Sequence, residues 1–140
     1  MATMLATNEP PREAVILEPK AIEEQQDESF ADSKNGIVTW KTLISAPQTA
    51  TDSLTAGIAT LPPQQGHLCA HRHTHAEIYH IISGRGTMTI DGSEQEVSAG
   101  SVIYIPGDAE HGIRNSDPKE ELRWLYVFAA DNFQDIVYRF

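Results

Sequence analysis

The chain has 140 residues, 20 acidic against 10 basic, and a formal charge of −10. That length supplies one domain with one core, and the acidity disfavours nucleic acid, whose affinity comes mainly from Lys and Arg neutralising phosphates. No apolar run approaches the roughly 18 residues of a membrane helix, no basic region followed by an apolar run marks a secretory signal, and the lone Cys69 leaves no internal disulfide, so a cytoplasmic setting is the expectation.

Residues 1–35 read as an N-terminal arm. Glu18 to Asp32 carries Glu23, Glu24, Gln25, Gln26, Asp27 and Glu28 with little apolar content, which predicts a solvated, partly irregular segment with room for one helical turn. Ala14–Leu17 offers a weak signal for an edge strand on this or another subunit. Residues 36–140 read as a single domain of short apolar runs bounded by turn residues. Strands are predicted near Ile37–Ile44, Ser53–Thr60, Leu68–His73, Glu77–Ser83, Gly86–Ile90, Glu94–Val97, Ser101–Ile105, His111–Asn115 and Leu122–Ala129. Pro62-Pro63, Ser83-Gly84, Asp91-Gly92, Ala99-Gly100, Pro106-Gly107 and Asp117-Pro118 punctuate them. Asp91-Gly92 between two strand runs is a hairpin signal. Many short strands at this spacing predict an all-β sandwich or barrel.

The chemistry concentrates in His71-Arg72-His73-Thr74-His75-Ala76-Glu77. Two histidines two apart on an extended chain project to one side. A turn after His73 would return Glu77, converging two imidazoles and one carboxylate in the facial arrangement that suits an octahedral metal with open positions. His111, after the Pro106-Gly107 turn, offers a further nitrogen. Imidazole with carboxylate favours Fe, Mn, Ni, Co or Zn over Ca or Mg.

His71-x-His73-x3-Glu77-x6-Gly84 resembles the first cupin motif, and Gly100-x5-Pro106-x4-His111-x3-Asn115 resembles the second. Two spaced motifs in order are far more specific than a lone His-x-His. Two departures stand out: Gly66 lies one residue nearer His71 than the family pattern expects, and the second motif carries its turn glycine at 107 rather than 108. The resemblance implies an RmlC-like double-stranded β-helix, the jelly-roll barrel, binding one divalent transition metal through His71, His73, Glu77 and His111. It also implies a homodimer. His75 then falls outside the ligand set, because a His73/His75 pair would crowd three donors onto one uninterrupted strand. Against this stand two other readings: a cupin that binds a metal or small molecule without turnover, and an incidental surface cluster of histidines.

Alternation extends the site. Residues 67, 69, 71 and 73 share parity, so a regular strand puts His67 and Cys69 on the ligand face; otherwise Cys69 is core and His67 a rim residue bonded to a loop. Glu77, Tyr79 and Ile81 share parity, pointing Tyr79 into the barrel and His80 away. A phenol beside a divalent metal is drawn toward phenolate and can take a proton from carbon next to a metal-bound carboxylate; the alternative is a tyrosine that only shapes the pocket. The Glu77-x-Tyr79 pair, the second motif and the terminal Val137-Tyr138-Arg139-Phe140 also resemble the small bacterial cupins that cleave dimethylsulfoniopropionate. That resemblance makes Tyr79 the base of a β-elimination. Arg85, Arg114 and Arg123 are candidates to hold a carboxylate. Trp124, Tyr126 and Phe128 form an aromatic stripe that is either pocket or core. The expectation is a metal-dependent lyase or isomerase acting on a small carboxylate, with an iron-dependent dioxygenase, a non-catalytic binding cupin and a dimeric assembly factor as alternatives.

Overall fold

Period-two burial runs through the chain and closes two antiparallel sheets on one core. The computed structural model describes residues 12–140. Its elements run α1 (Pro19–Glu24), β1 (Glu28–Ser29), β2 (Gly36–Ile37), β3 (Thr39–Ile44), β4 (Thr55–Leu61), β5 (His67–His71), β6 (Glu77–Ser83), β7 (Arg85–Ile90), β8 (Ser93–Ser98), β9 (Val102–Ile105), β10 (His111–Asn115) and β11 (Leu122–Phe128), with 3₁₀ turns at Ser33–Asn35 and Phe133–Asp135. One sheet has the order β1-β3-β4-β11-β6-β9 and the other β2-β5-β10-β7-β8. This is the jelly-roll arrangement that the cupin resemblance implies. Among the described residues no helix is long and apolar enough to cross a membrane.

β4 and β11 pair residue for residue from Leu122↔Leu61 to Phe128↔Thr55, and both bury every second side chain. The inward set includes Leu61, Leu122 and Phe128, joined by Ile105 and Ile81 from neighbouring strands. Each such side chain contributes about 1.5–3 kcal/mol relative to exposure. At the expected hairpin, Asp91 and Gly92 take φ of 48° and 83°. Two successive left-handed residues make the type I′ turn whose twist matches the flanking strands β7 and β8.

Three expectations are corrected. The run Ile37–Ile44 is not one strand: β2 joins β5 in one sheet and β3 joins β4 in the other, with buried Val38 at the crossing. Ala14–Leu17 adds no strand to the sheets of this chain. The arm is solvated only in part. No residue of α1 is buried, but Lys41 Nζ donates to the carbonyls of Ile22 and Glu23 at its end, and β1 pairs with Trp40 and Thr39. Those contacts lay Phe30 against the barrel, packed on its core.

A further irregularity sets up the site. On β10, His111 and Ile113 oppose His71 and Leu68 of β5, so three steps on β5 match two on β10. The extra residue is a β-bulge, which reverses the parity of everything before it.

Candidate functional site

His71 ends β5 and sits directly across from His111, the first residue of β10. His73 lies two residues on, and Glu77 opens β6 after the turn at residues 74–76. All four side chains are buried, the histidines at 1% exposure and Glu77 at 3%. The ligating atoms of His71, His73 and His111 fall within 4.8 Å of one another. Glu77 Oε1 is 3.2 Å from His73 Nε2 and 3.3 Å from His111 Nε2.

The rings are oriented by one local device used three times. Nδ1 of His71 meets the Cys69 carbonyl at 2.8 Å, Nδ1 of His73 meets His75 at 2.9 Å, and Nδ1 of His111 meets Ala109 at 2.9 Å. A carbonyl oxygen only accepts, so each Nδ1 carries the proton and donates. That leaves the Nε2 lone pairs of His71 and His111 facing the cluster, while Nε2 of His73 lies within hydrogen-bond distance of the Glu77 carboxylate. Among the described residues, Nε2 of His71 and of His111 has no hydrogen-bond partner, the latter despite its closeness to Glu77. Burial, with the neighbouring His111, holds the His71 pKa down to about 3, so this imidazole is neutral at physiological pH. Imidazoles whose Nδ1 is committed to a carbonyl and whose Nε2 converges beside a carboxylate are arranged as metal ligation requires. The three histidines could hold a metal ion, and the donor set fits a divalent transition metal.

Tyr79 points inward as its parity predicts, and His80 is exposed on the opposite face. The Tyr79 ring lies 6.3 Å from that of His111 and 5.1 Å from Trp124. Burial first, then the charge of Glu77, raises its phenol pKa well above the usual value. A cavity of about 360 Å³ opens beside Glu77 and Tyr79, walled by Trp124 and Tyr126 among others. Phe128 is fully buried against His73 and serves as core.

The bulge overturns one expectation. Leu68, not His67 or Cys69, shares the inner face with His71. His67 is half-exposed and bonds the Gln65 carbonyl, and Cys69 is half-exposed with Sγ 3.4 Å from the Lys34 carbonyl. His75 is half-buried and serves the cluster through its backbone carbonyl. Arg85 pairs with Asp117 and Arg114 with Glu94, both on the outside. Arg123 lines a groove with Lys41 and Asp27, away from the histidines. None of the three borders the cavity.

Two contributors escaped the sequence reading. Tyr138 in the tail stacks on His71, with ring centroids 4.7 Å apart, and lines the cavity. It is delivered by a two-residue pairing of Arg72 with Arg139. Its parity with Phe140 in the motif-bearing tail was the available signal. Phe30 also lines the cavity; being the one aromatic residue in an acidic arm was its only mark.

Comparison with known proteins bears on both fold and site. The profile of the cupin domain matches residues 57–128, which span the four clustered residues and Tyr79. Over 110 residues the chain is 46% identical to dimethylsulfoniopropionate lyase DddW of Ruegeria pomeroyi, covering 78% of this chain and 70% of that protein. Among solved structures, the polyketide cyclase RemF of Streptomyces resistomycificus superposes with a TM-score of 0.71 at 20% identity, over 89% of this chain and 84% of its own. A cupin-2 domain from Rhodospirillum rubrum gives 0.64 at 22% identity, over 87% and 78%.

Proposed function

The chain belongs to the cupin family, and on that premise we propose that it is a metal-dependent lyase that cleaves dimethylsulfoniopropionate or a close relative to an alkene carboxylate and a sulfide. The observation that carries this is the set of three imidazoles whose Nδ1 protons are committed to carbonyls while their Nε2 atoms converge beside Glu77. The likeness to DddW supplies the reaction class.

In this reading His71, His73 and His111 through Nε2, and Glu77 through a carboxylate oxygen, hold one divalent cation of the Fe, Mn, Ni, Co or Zn group. When bound, such a cation supplies Lewis acidity toward the substrate carboxylate and a charge that favours phenolate at a neighbouring tyrosine. Tyr79 takes the proton from the carbon next to the carboxylate. The electrons of that C–H bond become the new C=C bond as the C–S bond breaks, and the sulfur leaves with its electron pair as dimethyl sulfide, giving acrylate. The apolar walls around Trp124 and Tyr126 keep water from the reacting carbon. A second reading keeps the reaction and assigns the base to Tyr138, because that phenol lines the same cavity and lies on His71.

The test is dimethyl sulfide release by the metal-loaded protein, with and without air. Oxygen-independent release supports the lyase. A strict oxygen requirement rejects it in favour of an iron dioxygenase. Tyr79→Phe retains the metal and loses elimination about 10²–10⁴-fold, the usual contribution of a positioned base. An undiminished rate in Tyr79→Phe with loss in Tyr138→Phe moves the base to Tyr138.

The same reading includes a homodimer. Edge strand β9 carries no charge and exposes Val102 and Tyr104, at 69% and 64%, beside Ile78 and Ile82 of β6. An uncharged apolar edge suits pairing with a second copy. Sedimentation of Tyr104→Glu against the parent chain decides it: dissociation supports this contact, and an unchanged oligomer rejects it.

A further inference from the structure

Besides Tyr79 of β6, the cavity beside Glu77 is walled by aromatic rings from four other parts of the chain: Phe30 of the arm, Trp40 of β3, Trp124 and Tyr126 of β11, and Phe133 and Tyr138 of the tail. These rings form a connected series. Tyr138 meets Phe30 at 6.5 Å, Phe30 meets Trp40 at 5.1 Å, Trp40 meets Phe133 at 6.2 Å, and Phe133 meets Tyr126 at 6.0 Å between centroids. Among the described residues no lysine or arginine lines the space, and the one carboxylate bordering it is Glu77. A second anionic group on a substrate would find nothing here to neutralise it. A diffuse cation surrounded by methyl groups would meet aromatic rings on several sides, and aromatic faces attract positive charge when water is excluded.

We propose that Phe30 and Phe133 complete an aromatic cage that selects ligands carrying an onium group, a sulfonium or a quaternary ammonium. Both residues lie outside the span 57–128 that matches the cupin profile, so the selectivity is added to a shared barrel by the arm and the tail. The inference rests on the lyase reading only for which end of the substrate enters the cage.

The chain has two tryptophans, Trp40 and Trp124, and both line the cavity. Their fluorescence therefore reports occupancy without turnover. The metal-loaded protein is titrated with 3-(trimethylammonio)propanoate and with 4,4-dimethylpentanoate, which differ only in N⁺ against carbon. The cage binds the charged ligand more tightly by about fivefold or more, the scale of a desolvated cation–π contact. A pocket that recognises shape alone prefers the neutral ligand, and equal or tighter binding of 4,4-dimethylpentanoate overturns the proposal. Phe30→Leu and Phe133→Leu each lower the preference about threefold, whereas Phe30→Tyr keeps it because the π face remains. Unchanged preference in both leucine variants also overturns it. The two readings fail separately. Onium preference without dimethyl sulfide release removes the lyase and leaves the cage, and release without onium preference removes the cage and leaves the lyase.

Discussion

The phenol ring of Tyr138 lies parallel to the imidazole of His71, with 4.7 Å between centroids and 1° between planes. Tyr138 comes from the tail and His71 from β5, and the main-chain pairing of Arg72 with Arg139 holds the two in register at 2.8 and 2.9 Å. An ion pair of Arg139 with Asp108 ties the same tail to the loop that precedes His111. The tail thus braces a ring of the candidate metal centre from outside the barrel. Tyr138→Leu is expected to weaken zinc binding about 2–10-fold, since a stacked pair is worth about 0.5–1.5 kcal/mol, while Tyr138→Phe keeps the affinity. Competition against a chromophoric chelator measures both. Equal affinity in Tyr138→Leu would show that the stack plays no part in orienting His71.

His75 is expected to be dispensable as a side chain. Its carbonyl accepts from His73 Nδ1, and an alanine offers the same carbonyl. His75→Ala should retain the parent metal content by elemental analysis of the purified protein. Substantial loss would mean that His75 and not His73 is the ligand.

Alternation and turn chemistry carried the fold a long way, because an antiparallel sheet with one buried face writes its period directly into the residues. Tyr79 and Ile81 were placed inward and His80 outward on that ground alone. The same rule misplaced His67 and Cys69, because the bulge between Leu68 and His71 depends on which β10 residues oppose them, and no local residue type announces it. The glycine shift in the second motif has a comparable cause. Asp108 takes the left-handed φ of 65° where the family places glycine, an αL conformation that Asp tolerates better than most residues. Phe30 was hidden for another reason. An aromatic in a polar arm gains its meaning only from a contact made across the fold with Trp40 and the tail.

Gly107 is required by space. A Cβ there would stand 2.3 Å from the Thr74 carbonyl oxygen, and the turn at residues 74–76 carries the carbonyl that orients His73. Gly107→Ala is expected to destabilise the protein by about 1–3 kcal/mol through overpacking and to weaken metal binding as the turn shifts. Thermal unfolding and chelator competition read the two effects. An unaltered melting temperature would show that the loops separate without cost.

The depressed pKa of His71 makes a signed prediction for the metal-free protein. The unfolded chain takes up a proton near the ordinary value of 6.5, whereas the folded chain resists protonation of this group down to about 3. Below 6.5 the unfolded state therefore binds more protons, and stability falls as the pH falls. This group alone removes about 1.4 kcal/mol per pH unit between the two values. The stabilising difference is fully present above 6.5 and is lost progressively on acidification. Thermal midpoints of the metal-free chain, measured from neutral pH down to mildly acid pH, should decline with that slope, and His71→Gln should flatten the decline. A His71→Gln variant that keeps the parent slope would show that acid sensitivity arises elsewhere.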